Sequence, residues 1–247
     1  MAESDVKAMR RADIVVTERQ GGQTPYTLRR GGVKRVNLRV RADGDVVVSA
    51  PTRARLSDVD AFVASKEDWI RSQRERQDAA RCREASRWQD GGKVRFLDEV
   101  LAVRVVREAP APGARRAGDE LQLLLPPTDE DTGLARDLGR SWLARALSSE
   151  LPTRFPPLEE RLGVACSGWR VRYMRSRWGS CNVRTSVITI NAELASLPST
   201  CLDSVIAHEL CHLLEPSHNQ RFHDLLDSAY PSWREARAIL NATLPQG

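Results

Sequence analysis

Val36, Leu38 and Val40 alternate with Arg35, Asn37, Arg39 and Arg41, so this segment has one apolar side and one basic side. A period of two marks a half-buried strand. The Asp-Gly turn of ADGD and the returning VVVSA predict a hairpin, with YTLRR as the strand before it. From about Ser57 to Arg87 the pattern becomes helical, with Val59, Phe62, Val63, Trp69 and Ile70 as the stripe to be buried. Later turns of that helix carry Arg71, Arg74, Arg76, Arg81, Arg83 and Arg87 among Glu75, Asp78 and Glu84. Such mixed charge reads as a solvated face rather than a nucleic-acid patch.

KVRFLDEVLAVRVVRE predicts two strands joined around residues 97–99, APAPGARRAGDE a loop, and LQLLLP a further strand. Leu134, Leu138, Trp142, Ala146 and Leu147 predict a helix from Asp131 through Leu151. Pro152, Pro156 and Pro157 are expected to break or kink it before LEERLGV resumes. GWRVRYM reads as a strand, SRWGSCN as a turn and SVITIN as another strand. Three helices follow, over about 198–215, 219–229 and 231–242, and no internal repeat is evident. Strands with one helix, then strands, then mostly helices define an α+β chain rather than an alternating parallel sheet. The expected organisation is a flexible tail over residues 1–22, a β-rich region with a helix over 23–128, and a helix-rich region over 129–247.

Composition narrows the class. At 247 residues, 41% hydrophobic and 29% charged, the chain can bury a substantial core. No run nears the roughly 18 apolar residues of a membrane span. MAESDVKAMRRADIVV has charges where a signal peptide needs an apolar stretch, so a cytoplasmic protein is expected. Five cysteines, odd in number and without a C-x-x-C pair, fit free and mostly buried thiols. The net charge of +5 is carried by arginine, since only four of the 38 basic residues are lysine. That charge permits contact with nucleic acid without establishing it.

All four histidines lie within residues 208–223, in HELCHLLEPSHNQRFH. His208 and His212 are four apart on a predicted helix, so they project from one face. Zinc takes imidazole nitrogens at about 2.0–2.1 Å, and an i, i+4 pair supplies two of them on a rigid frame. Glu209 between them completes His-Glu-x-x-His, placing a carboxylate where it can take a proton from water. His218 is the natural third ligand, because Pro216 ends the helix and lets the chain turn back. Cys211 lies about 100° round the helix from His212 and should point away from a metal. Cys181 as a fourth ligand would close the site to water.

The spacing also matches metzincins superficially, but Glu215 stands where they need glycine, and no methionine follows Met174. Instead, SRWGSCN, ITINAEL and VIAHELCHLLEPSHNQRF resemble the YgjP-like metallopeptidases, which are similar to SprT-like and WLM zinc proteases. YTLRR, GDVVVSAP, AFVASKEDWI and WLARAL extend the likeness over roughly residues 26–242. The resemblance implies a zincin-like catalytic region, with the His-Glu-x-x-His helix packed on a small sheet. It implies Zn2+ held by His208, His212 and His218, Glu209 as general base, and a protein or peptide substrate. It is interrupted by the 152–157 proline cluster and by His223, where the family usually has tryptophan.

The expected reaction is metal-assisted amide hydrolysis. Tyr230 and Arg177 are candidates for a second oxyanion donor, and SVITIN for an edge strand that pairs with substrate backbone. Trp178 reads as core packing or substrate contact, and His223 as a packed surface residue or a substrate-side one. The competing reading is a nucleic-acid-associated module with a structural zinc, supported by the arginines of 35–41 and by Arg170, Arg172, Arg175, Arg177 and Arg184. A protease acting on DNA-bound proteins would merge the two. Glu209 separates them, because a structural zinc needs no carboxylate beside a water.

Overall fold

Four short segments build the first sheet, with burial alternating along Thr24–Gly31 and Asn37–Val40. A computed structural model describes residues 15–41, 43–107, 109–127 and 133–243, and the chain divides into two compact units, 1–84 and 85–247. In the first unit, β1 (Val15–Gly21), β2 (Thr24–Gly31), β3 (Asn37–Val40) and β4 (Val46–Pro51) form a sheet in the order β1-β2-β4-β3. Residues 15–21, expected in a tail, are therefore an edge strand, paired antiparallel with β2. The rest of that expected tail, residues 1–14, lies outside the described residues. Tyr26, Leu28, Val46, Val48 and Ala50 pack with Val59, Val63 and Ile70 as the core of this unit.

The single helix expected from residue 57 is two, α1 (Leu56–Ala64) and α2 (Glu67–Arg87), the latter running across the division between the units. The break falls at Ser65, whose hydroxyl donates to the Phe62 carbonyl at 2.7 Å and competes with continued helix. Trp69, assigned to the buried stripe, is 45% exposed. Arg71 and Arg81 pair with Asp68 and Asp78 of the same helix.

In the second unit, β5 (Lys93–Phe96), β6 (Glu99–Val106), β7 (Gly113–Ala117) and β8 (Glu120–Leu124) form a sheet in the order β5-β6-β8-β7. Strand β7 lies inside the segment expected to be a loop. Each of its residues pairs with β8, so the ladder fixes a strand that its Gly- and Arg-rich composition conceals. The two four-stranded sheets share one topology: an antiparallel pair, a parallel join and a second antiparallel pair. No sequence likeness between residues 15–51 and 93–124 announces this repetition.

A third sheet, of β9 (Gly168–Arg172), β10 (Gly179–Asn182) and β11 (Val187–Asn191), has the order β10-β11-β9. Helix α3 (Leu134–Leu162) runs unbroken through Pro152, Pro156 and Pro157, contrary to the expected break. Leu143, Leu147, Leu151, Phe155 and Leu158 keep one buried stripe across the whole span, while the three prolines lie on the exposed side. There the carbonyls that lose their N–H partners are open to water, and the stripe holds the helix together. A 3-10 turn (Ala192–Ser196) leads to α4 (Ser199–Cys211), α5 (Gln220–Ala229) and α6 (Trp233–Thr243). Both sheets and all four helices of this unit share one core, which includes Val94, Leu121, Leu147, Ile188, Ile206 and Leu226.

Candidate metal and catalytic centre

Helix α4 carries its first two site residues on a frame fixed at both ends. Residue 198 is a proline with no side chain to cap the helix, and the cap comes from far away in sequence. The Asp98 carboxylate, in the turn between β5 and β6, accepts from the Ser199 N–H at 3.0 Å. Hydrogen bonding to Ser199 holds Asp98 below the usual carboxylate range. Cys201, Leu202, Val205, Ile206, Ala207, Leu210 and Cys211 bury the inner face of the helix. The chain leaves the helix at His212, turns through Pro216, and restarts at Asn219, whose side chain accepts from the Phe222 N–H at 3.1 Å. His218 sits in that connection, on the path expected for a returning third residue.

The ligand atoms of His208, His212 and His218 all lie within 4.8 Å of one another. Nε2 of His208 and Nε2 of His218 are 3.1 Å apart. His212 directs Nδ1 to the Glu215 carbonyl at 3.2 Å, which leaves Nε2 for the cluster. Burial pushes His208 down to about 3, helped by the charges of the other two histidines, and burial also lowers His212. Both rings are therefore neutral near pH 7, with lone pairs available.

Phe222, from the first turn of α5, is the floor of the cluster. Its ring centroid lies 4.9, 4.8 and 4.7 Å from those of His208, His212 and His218. Phe222 carries no ligating or titratable group, so no chemical motif marks it as part of the site. Its signal was the apolar position four before Leu226 on the same face of α5.

Glu209 is 5% exposed, and burial pushes its carboxyl up to about 7, opposed by the charge of Arg177 and a hydrogen bond from the Cys181 main chain. Gly179 makes this placement possible. A Cβ there would stand 2.5 Å from Oε1 of Glu209 and 2.7 Å from its Cγ. The edge strand beside α4 is thus β10. SVITIN, expected at the edge, is the middle strand of the sheet and is paired on both sides. Its alternation could not tell an edge position from a central one.

Asn191, fully buried, fixes the loop before β10. Its Nδ2 donates to the carbonyls of Met174 and Arg177 at 3.0 and 2.9 Å, and its Oδ1 accepts from the N–H of Met174 and Glu193 at 3.2 and 3.1 Å.

A cavity of about 520 Å³ opens beside the cluster and touches His208, Glu209 and His218. Arg177 and Trp178 line it, and the Trp178 Nε1–H donates to the Leu240 carbonyl at 3.3 Å, so this indole both packs and faces the cavity. Tyr230 does not line it; the charges around its hydroxyl are Asp203 and Arg154. His223 lines it and stacks on Trp233 at 5.7 Å, with rings 14° apart. Cys211 is buried in the core, with its thiol pushed up to about 12, and Cys181 is outside the three-histidine cluster. All five cysteines are free.

A cluster of imidazoles with a buried carboxylate, built on α4 and flanked by an edge strand, belongs to the class of metallopeptidases. The family model for the YgjP-like metallopeptidase domain matches residues 34–243, and the chain belongs to that family. No curated protein matches it. Among solved structures it is similar to the metallopeptidase zymogen abylysin of Pyrococcus abyssi, at 17% identity and a TM-score of 0.36. That likeness covers 38% of this chain and 94% of the other.

Proposed function

We propose that this metallopeptidase is a zinc enzyme in which His208, His212 and His218 hold the ion and Glu209 is the general base. The donor set fits: nitrogens each about 2.0–2.1 Å from one tetrahedral ion stand roughly 3.3 Å apart, close to the distance between the His208 and His218 Nε2 atoms. Three imidazoles with no cysteine also suit a site that keeps a position open to substrate. A bound zinc supplies Lewis acidity, lowering the pKa of a water to about 7 and stabilising charge on a carbonyl oxygen.

This chain's own residues do the rest. Glu209, buried and beside the cavity, takes a proton from the attacking water and returns it to the departing amine. Its raised pKa suits both transfers near neutrality. The free edge of β10 offers main-chain groups to an extended peptide, so the bond to be cut would lie alongside α4. Arg177, at the start of that edge, is the remaining candidate for a second oxyanion donor, and Tyr230 is set aside by its position.

The observation that carries the reading is Glu209 itself, a buried carboxylate that lines the same cavity as His208 and His218. A structural zinc site would not require it. Metal analysis tests the ligand set: the purified protein should carry about one zinc per chain, and His218→Ala should lower zinc affinity by at least about tenfold. Zinc retained unchanged by that variant would overturn the assignment.

A further inference from the structure

The cavity beside the cluster has an uneven lining. Trp178, Val205, Phe222, Leu226, Trp233 and Leu240 give it apolar walls drawn from the loop before β10 and from α4, α5 and α6. Its volume, about 520 Å³, is in the range of pockets that enclose a bulky group. Two guanidinium groups flank it. Arg177 precedes β10, and Arg237 lies 5.7 Å from the Trp233 ring centroid. Arg234 is also near that ring, at 4.5 Å, but it is paired with Asp227. Among the described residues, neither Arg177 nor Arg237 forms a salt bridge, and Glu209, on which the charge of Arg177 acts, is the one acid in the lining. Both cations are exposed, so their charge faces whatever approaches the pocket.

We infer that this cavity is a selectivity pocket, taking a bulky apolar side chain of an acidic peptide whose flanking carboxylates meet Arg177 and Arg237. The walls exclude water from the side chain and favour phenylalanine or leucine over alanine. The two unpaired guanidiniums favour acidic flanks and oppose lysine on either side. The pocket touches His208 and Glu209 directly, so a side chain seated there holds its own peptide bond next to the base.

The inference rests on the peptidase reading above, and its first readout is binding rather than turnover. Zinc-loaded Glu209→Gln protein is titrated with labelled peptides of three kinds: a central Phe flanked by Asp, a central Ala flanked by Asp, and a central Phe flanked by Lys. The first should bind at least about tenfold more tightly than either of the others. Arg237→Glu, a surface change that does not threaten the fold, should reverse the preference between Asp and Lys flanks. Asn241→Trp, at an exposed position of the lining, should narrow the pocket and reduce the preference for Phe over Ala. Equal binding of the three peptides, or an Asp preference untouched by Arg237→Glu, would overturn the inference. Selective binding without turnover by the unaltered enzyme would keep the pocket and remove the peptidase reading. Turnover without side-chain preference would do the reverse.

Discussion

At the scale of single residues the centre depends on two side chains that hold no ligand and one side chain that is missing. Phe222 packs against all three imidazoles, so Phe222→Leu should leave the fold intact but loosen the cluster. Supporting groups of this kind typically control metal affinity by about 10–100-fold, and a loss near the lower end is expected in competition with a chelator. Gly179→Ala tests the close approach to Glu209. The added methyl displaces a carboxylate that is too buried to swing into water, so peptide hydrolysis should fall at least about tenfold while zinc content is retained. Zinc content and kcat/KM measured on the same preparation separate the two effects. The histidines of the cluster were legible in the sequence because His-x-x-x-His on a helix is a local pattern. Phe222 and Asn191 were not, because what they do depends on contacts that no local pattern specifies.

At the scale of elements, helix α4 is finished by parts distant in sequence. Asp98 caps α4 from the β5–β6 turn, across a separation of 101 residues. Asp98→Ala should cost about 1 kcal/mol, as loss of a helix cap does, and should fray α4 first at Ser199, visible as faster amide exchange there. The sequence predicted α4, α5 and α6 within a few residues, since α5 and α6 are amphipathic, α4 is an apolar stretch, and each is preceded by Pro, Asn or Ser. It misjudged α3 because proline was read as a helix breaker irrespective of the face it occupies. With a buried stripe from Leu143 to Leu158, packing outweighs three lost N–H groups on the wet side. It also missed β1, β7 and β10, the last read as a turn, strands whose polar sequences are specified by their partners β2, β8 and β11 rather than by their own alternation. The placing of SVITIN failed for a related reason: strand order is a property of the sheet, not of the strand.

At the scale of the whole molecule, the chain divides into two compact units between Glu84 and Ala85. The strand-rich stretch 93–124 builds the same core as the helices that carry the site. A fragment spanning 85–247 should therefore bind zinc through the three histidines, whereas one starting at residue 129 should not fold. The first unit has its own acid sensitivity. The Asp60 carboxylate accepts from Arg19 at 2.7 Å and from the Tyr26 hydroxyl at 2.6 Å, and these bonds hold it below the usual carboxylate range. A depressed folded-state pKa contributes stability that is present above the unfolded value and lost as the pH falls through the folded one. Exchange protection of β1 and β2 should thus decline below about pH 4, and Asp60→Asn should remove that decline.

The central claim is that Glu209 makes the histidine cluster catalytic, and one substitution tests it most directly. Glu209→Gln keeps the size of the side chain and removes the base. The variant should hold about one zinc per chain, as the unaltered protein does, while peptide hydrolysis drops by a factor of about 10²–10⁴. Hydrolysis undiminished in a variant with full zinc would contradict the account.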